Sequence, residues 1–148
     1  MNRLVMRLII SAVLVLTLGL AGCGRQEQSR EQDLVEVRKV LEIRDKAIET
    51  ADMALYRSVI YPEYFDGGAT LEQILSEMED AFAMGKKIEF TYQKSPVEFK
   101  MNTARVVQRI IYRIEGREKA SHGHERLILR KIEGKWIISG GIQTGLLQ

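Results

Sequence analysis

Cysteine is almost absent from this chain of 148 residues, in which Cys23 is the only one. A single thiol cannot form a disulfide within the chain. The packing of a hydrophobic core must therefore hold the fold together without a covalent cross-link. A chain of this length is expected to form one domain, because domains of about 100–200 residues are typical.

The sequence also lacks the common motifs of catalysis and cofactor binding. It contains no glycine-rich phosphate-binding loop, no Ser/His/Asp set and no zinc signature. The only two histidines, His122 and His124, would share one face of a strand, a spacing that can hold Zn²⁺ or Cu²⁺. Because no third ligand is evident, this pair is a weak metal candidate, and we expect neither a metal nor another cofactor.

Long apolar runs are scarce as well. The one in residues 8–20 is uncharged but shorter than the about 20 residues that a membrane-spanning helix needs. It follows Arg3 and Arg7 and leads into residues 20–23 (LAGC). This arrangement resembles the signal and lipobox of bacterial lipoproteins. The resemblance implies cleavage between Gly22 and Cys23, and attachment to Cys23 of a thioether-linked diacylglycerol and an N-acyl chain such as palmitate.

The resemblance predicts a protein of the cell envelope that is held to membrane lipid through Cys23. Gly24 rather than aspartate follows the cysteine, which favours the outer membrane if the host has two membranes. Removal of residues 1–22 lowers Lys+Arg from 22 to 20, against 20 Asp+Glu. The pI of about 8.7 therefore reflects the signal in part, and we expect no nucleic-acid partner.

The polar residues that follow predict a flexible tether rather than a folded element. The predicted organisation is thus a signal peptide at residues 1–22, the lipidated cysteine with its tether at 23–32, and one domain at 33–148.

Helical periodicity dominates the first half of the predicted domain. Apolar residues at three- and four-residue steps predict a first helix over residues 33–50. Its solvent side is expected to carry charged residues: Glu36, Lys39, Arg44 and Lys46. Asp52 is a suitable N-cap for a short second helix. Thr70 and Gln73 form a capping box that predicts the start of a third helix.

Alternation of apolar and polar residues takes over after residue 87 and predicts five strands. They cover residues 88–93, 97–99, 104–114, 119–132 and 136–138. Along the third strand Gln108, Ile110 and Tyr112 point to one side, and arginines point to the other. Helices followed by a meander of strands predict an α+β fold, with the helices packed on one face of an antiparallel sheet.

Three stretches within residues 37–142 resemble the nuclear transport factor 2-like superfamily, which includes ketosteroid isomerase-like and SnoaL-like proteins. These stretches are residues 44–48 (RDKAI) running into 51–56 (ADMALY), residues 102–106 (NTARV), and residues 127–138 (LILRKIEGKWII). The resemblance implies a cone-shaped, strongly bent antiparallel sheet of the cystatin-like type around about three N-terminal helices, with a pocket at the open end. It also implies dimers through the outer sheet face in many members, of which some are enzymes and many are binding or accessory domains.

A set of aromatic and polar residues could line such a pocket, with plain core packing as the alternative. These candidates are Tyr56, Tyr61, Tyr92, Gln108, Tyr112 and Trp136. The isomerases of the superfamily use a carboxylate base in an apolar pocket. Asp45 and Asp66 are weak candidates for that role, because neither has an evident acidic partner on the strands.

The outward positions of the third and fourth strands predict a basic face. It consists of Arg105, Arg109, Arg113, Arg126 and Arg130. We expect this face to bind an anionic partner or a second subunit, with a solvated surface as the alternative.

Together these features predict a membrane-anchored, non-catalytic module that binds a small apolar ligand or an envelope protein, with a homodimer as a further expectation. Two alternatives stay open. One is an isomerase- or dehydratase-type enzyme that uses a pocket carboxylate and a tyrosine. The other is a structural accessory protein that assembles through the sheet face.

Overall fold

The computed structural model describes residues 27–83, 88–114 and 121–143. Within its strands the side chains of residues 88–90, 92–95, 110, 112, 114 and 121 lie outside the description. The predicted signal peptide, the cleavage site at Gly22 and the lipidation site at Cys23 also lie outside the described residues. Of the helices that are described, none has both the length and the apolar character that a bilayer-spanning helix needs.

The first helix, α1, is longer than the sequence pattern predicts. It covers residues 27–49, so residues 27–32, predicted as a flexible tether, are helical. The side chains of residues 27–32 are all exposed. Apolar periodicity detects only helices that bury one face, which is why this polar turn escaped the prediction. The predicted domain boundary at residue 33 stays a prediction. The compact unit that contains the sheet begins at Glu36.

Two short-range caps set the starts of the next helices, as predicted. Helix α2 covers Met53–Ser58, and the Asp52 side chain accepts a hydrogen bond from the Leu55 N–H at 2.9 Å. A small hairpin of β1 (Phe65–Asp66) and β2 (Ala69–Thr70) leads into α3 (Leu71–Ala83). In the capping box the Thr70 N–H donates to Gln73 Oε1 at 2.9 Å, and the Gln73 N–H donates to Thr70 Oγ1 at 3.4 Å.

Four antiparallel strands form the main sheet in the order β3-β4-β5-β6. They cover Ile88–Lys100, Thr103–Ile114, Ser121–Ile132 and Lys135–Gly140. The two strands predicted at residues 88–93 and 97–99 are therefore one strand. Its register with β4 shifts between Lys94 and Val97, and such a bulge interrupts the alternation without ending the strand.

The hydrophobic core lies between the helices and the inner face of the sheet. The sheet contributes Ala104, Val106, Leu127, Leu129, Trp136 and Ile138, and the helices contribute chiefly Val37, Leu41, Ala47, Ile48, Tyr56, Ile74 and Leu75. Residues of β4 alternate as predicted, since Ala104 and Val106 are buried while Arg105 and Val107 are exposed. The predicted α+β class, a bent antiparallel sheet packed on N-terminal helices, is confirmed.

Candidate functional site

A buried ion pair joins α1 to the inner face of the sheet. The Arg44 residue is 4% exposed and Glu125 only 1%. Arg44 Nη1 donates to Glu125 Oε2 at 3.0 Å, and Arg44 Nη2 donates to Glu125 Oε1 at 2.6 Å. This two-pronged geometry is the strongest form that a guanidinium–carboxylate contact takes.

Gln108 completes the network around the carboxylate. It lies directly opposite Glu125 in the β4–β5 register, and its Nε2 donates to Glu125 Oε2 at 2.8 Å. Gln108 is itself only 3% exposed. Both oxygens of Glu125 thus accept hydrogen bonds, which offsets the cost of removing a carboxylate from water. The arrangement holds a negative charge in place between the helix and the sheet.

Sequence reasoning misplaced one member of this pair and missed the other. Arg44 was expected on the solvent side of the first helix, but it lies on the buried stripe with Leu41 and Ile48. Glu125 belongs to the inner face of β5, two residues from the buried Leu127. The available signal was a charged residue at an inward position on each of two facing elements. Neither charge can be buried alone, so each predicts the other.

The Tyr56 hydroxyl lies beside this network. The residue is fully buried, and its hydroxyl makes no hydrogen bond of good geometry among the residues that the structure describes. Burial raises the pKa of this hydroxyl above its ordinary value. The Arg44 guanidinium partly opposes the rise, and the Glu125 carboxylate adds to it. Tyr56 and Gln108 are therefore the two predicted pocket residues that meet at one place.

The other predicted pocket residues lie elsewhere or outside the description. Tyr61 is half-buried, and its hydroxyl donates to Glu63 Oε2 at 3.1 Å. Trp136 packs edge-on against Phe99, with ring centroids 5.8 Å apart. It pairs with the strand position of Lys131, roughly 20 Å along β5 from Glu125 at about 3.3 Å per residue.

Tyr92 and Tyr112 have defined backbone positions only. Tyr92 pairs with Ile110, and Tyr112 pairs with Phe90 and with Ser121. Both therefore occupy neighbouring register positions on the sheet, beyond the Gln108–Glu125 pair. Their side chains lie outside the described part of the structure, so their place in a pocket stays a prediction.

The two weak catalytic candidates occupy different surroundings. Asp45 is half-buried on α1. Asp66 Oδ2 accepts a hydrogen bond from the Gly141 N–H at 2.6 Å. Next to it, the hydroxyl of the buried Tyr64 accepts from the Ile142 N–H at 3.0 Å. Asp66 and Tyr64 thus hold the backbone in place where the chain leaves β6. This gives Asp66 a structural role.

The remaining candidates lie on the outer face of the sheet. His122 and His124 are exposed and pair with Ile111 and Arg109. Across the described ranges, no three histidine, cysteine, aspartate or glutamate side chains gather where they could hold a metal ion. The five arginines of the predicted basic face, Arg105, Arg109, Arg113, Arg126 and Arg130, are all exposed.

Burial of Tyr64 predicts a loss of stability in alkali. Burial raises the pKa of Tyr64 to about 12, whereas an unfolded chain loses a tyrosine proton near pH 10. Between these values the unfolded state binds fewer protons, so the free energy of unfolding falls as the pH rises. Tyr64→Phe should reduce this fall, measured by denaturant titrations from about pH 9 to 12. If the free energy of unfolding fell equally with pH in the variant and the unaltered protein, the raised pKa of Tyr64 would not be the cause of the fall.

Comparison with solved structures places the fold among nuclear transport factor 2-like and cystatin-like proteins. A proposed dehydratase of the nuclear transport factor 2-like family from Streptomyces avermitilis aligns with a TM-score of 0.64 and 16% identity, over 74% of this chain and 93% of that one. A nuclear transport factor 2-like protein of unknown function from Shewanella oneidensis aligns with a TM-score of 0.57 and 16% identity, over 72% and 94%.

A protein of unknown function with a cystatin-like fold from Nostoc punctiforme gives a TM-score of 0.59 and 13% identity, over 73% of this chain and 86% of that one. Identities this low show the fold alone. No protein-family model matches the chain, and no curated protein matches it either.

Proposed function

We propose that this protein is a lipid-anchored component of the cell envelope whose domain is a non-catalytic module for binding a small apolar ligand or a partner protein. The observation that carries the proposal is the state of Glu125. This carboxylate is buried, and both of its oxygens already accept hydrogen bonds from Arg44 and Gln108. A general base must come within hydrogen-bond reach of a substrate proton, whereas Glu125 is only 1% exposed and is held between Arg44 and Gln108.

The position of Asp66 supports the same conclusion. Its Oδ2 holds the Gly141 N–H, so it serves the backbone rather than a substrate. A fixed buried charge is useful in a binding module, because it ties the helix layer to the sheet and keeps the space between them in one shape. Ligand sites are mostly apolar and largely preformed in this way.

Native mass spectrometry of the protein purified from the envelope of its own host tests this function. A small-molecule adduct that survives purification would support the binding role and give the mass of the ligand. The same spectra report acyl chains on Cys23, and a Cys23→Ala variant serves as the unlipidated control. A protein without adduct, together with the failure of crosslinking to recover any partner, would contradict the proposal.

A dehydratase- or isomerase-type enzyme is the second candidate function. It is favoured by the Tyr56 hydroxyl, which is buried beside a carboxylate and makes no hydrogen bond of good geometry among the described residues. The likeness to a proposed dehydratase agrees with it only at the level of the fold. Tyr56→Phe separates the two functions, because it removes a proton donor but little volume. If cells with Tyr56→Phe behave like cells that lack the protein while the adduct is unchanged, the enzyme is favoured. If they behave like cells with the unaltered protein, the binding module is favoured.

A further inference from the structure

We propose that the outer face of the sheet docks the domain onto the anionic headgroups of a lipid bilayer. The docking surface, here the arginine face, consists of Arg105, Arg109, Arg113, Arg126 and Arg130. This inference goes beyond the proposed function, because it concerns a surface on the side of the sheet away from the buried network.

The arginines of this face lie close together, and their side chains are exposed. All five side chains are exposed on the neighbouring strands β4 and β5. Along β4 the arginines recur from residue 105 to 113, roughly 26 Å at about 3.3 Å per residue. Within the described ranges, no hydrogen bond or ion pair joins any of the five to a carboxylate. One carboxylate of this face, the exposed Glu98, lies opposite Arg105 in the β3–β4 register, and the face keeps a net positive charge for a partner.

The opposite side of the fold carries the compensating negative charge. Helix α3 packs on the inner side of the sheet through Leu71, Ile74, Leu75 and Met78. Between Leu71 and Ala83 its acidic residues are Glu72, Glu77, Glu79 and Asp80, and it has no lysine or arginine. The domain therefore has an electric dipole, with the arginine face as its positive end and α3 as its negative end. An anionic surface would attract the arginine face and repel α3, which fixes one orientation.

A lipid surface fits this face better than a protein does. Face-to-face docking of two copies would bring arginines against arginines, which costs free energy. Stable protein interfaces also have a well-packed apolar centre. On this face Val107 is 38% exposed and Ile111 and Ile128 are half-buried, and the register partners of Val107 and Ile128 are arginines. A layer of anionic headgroups needs no such centre, because it rearranges around fixed cations.

The predicted anchor at Cys23 supplies proximity. A lipid on the cysteine would keep the domain within a chain length of the bilayer, so that even a weak surface attraction would act at a high effective concentration. Only this proximity depends on the anchor. The attraction itself depends on the arginine face, so a failure to find a bound ligand would leave the present inference standing.

Arginine footprinting on the full chain tests the inference. The protein purified from its host's envelope is reconstituted into nanodiscs of phosphatidylglycerol or of phosphatidylcholine. Phenylglyoxal then modifies accessible arginines, and peptide mass spectrometry gives the rate at each one. We expect rates at the arginine face to be at least threefold lower on phosphatidylglycerol, and high salt to abolish the difference. Arg38 and Arg57, exposed on α1 and α2, are controls within the same molecule.

A pair of matched variants separates the surface from net charge. Arg109→Glu with Arg126→Glu should restore the phosphatidylcholine rate at Arg105 and Arg130. Arg38→Glu with Arg57→Glu changes the net charge equally and should leave the protection intact.

Three results would overturn the inference. Equal modification rates on both lipids would mean that anionic lipid does not attract the arginine face. Protection already present in detergent would point to contact between copies. Protection in native envelope vesicles but not in pure lipid would point to a protein partner.

Discussion

Arg44→Met should lower the free energy of unfolding by about 3–5 kcal/mol, the cost typical of leaving one half of a buried ion pair behind. The side chain of methionine fills similar space but donates no hydrogen bond. Glu125 would then keep only Gln108 as a donor, at 1% exposure and without a counter-charge. Denaturant titrations followed by circular dichroism at neutral pH measure the loss.

Two controls make this result specific to the buried pair. Arg38→Met changes an exposed residue of the same helix and should stay within about 0.5 kcal/mol. The double variant with Arg44→Met and Glu125→Leu removes both charges and should recover most of the loss, because an apolar pair of similar volume is often neutral. Equal stability of Arg44→Met and Arg38→Met would mean that the pair contributes nothing.

Gly141→Ala is expected to be about as harmful, for a different reason. Gly141 has φ +81°, in the region that favours glycine, and a Cβ there would overlap the Arg126 carbonyl oxygen. A left-handed conformation costs a side-chain-bearing residue about 1–2 kcal/mol, and overpacking adds about 1–3 kcal/mol. The free energy of unfolding should therefore fall by about 2–5 kcal/mol, in the same titrations. The hydrogen bond from the Gly141 N–H to Asp66 would be strained as well.

Gly134→Ala provides the matched control. Gly134 has nearly the same φ, +80°, but nothing lies within 4 Å of the position that its Cβ would take. This variant should cost only the conformational part, about 1–2 kcal/mol. If both variants lost the same amount, the contact between Gly141 and the Arg126 backbone would not matter to the fold.

Much of the fold was predictable because local signals decide it. Asp52, and Thr70 with Gln73, cap the helices that they were expected to cap. Residues 104–109 alternate as a strand with one buried face. The exceptions have physical causes. The bulge between Lys94 and Val97 is decided by pairing with β4, and the first turns of α1 bury nothing that periodicity could reveal.

The buried network was less predictable, because it depends on residues far apart in sequence. Arg44 and Glu125 are separated by 81 positions, so the inward position of each charge in its own segment does not say which residue is its partner. Gln108 was correctly assigned to the inner face, since strand alternation alone places it there. Its role as a donor to Glu125 appears only once β4 and β5 are in register. The local pattern can thus show that a charge is buried, but the pairing itself appears only in the structure.

The two edges of the sheet also bear on how the chain behaves among other proteins. The edge beyond β6 is covered at Ile138, because the Ile138 N–H donates to the Val59 carbonyl at 2.9 Å and the Tyr61 N–H donates to the Ile138 carbonyl at 2.8 Å. At the other edge the bulge and Pro96, which has no N–H, break the row of groups along β3. Open, regular edges are templates on which foreign strands add and aggregates grow. A chain that folds without an internal disulfide is in this way guarded against strand-by-strand misassembly.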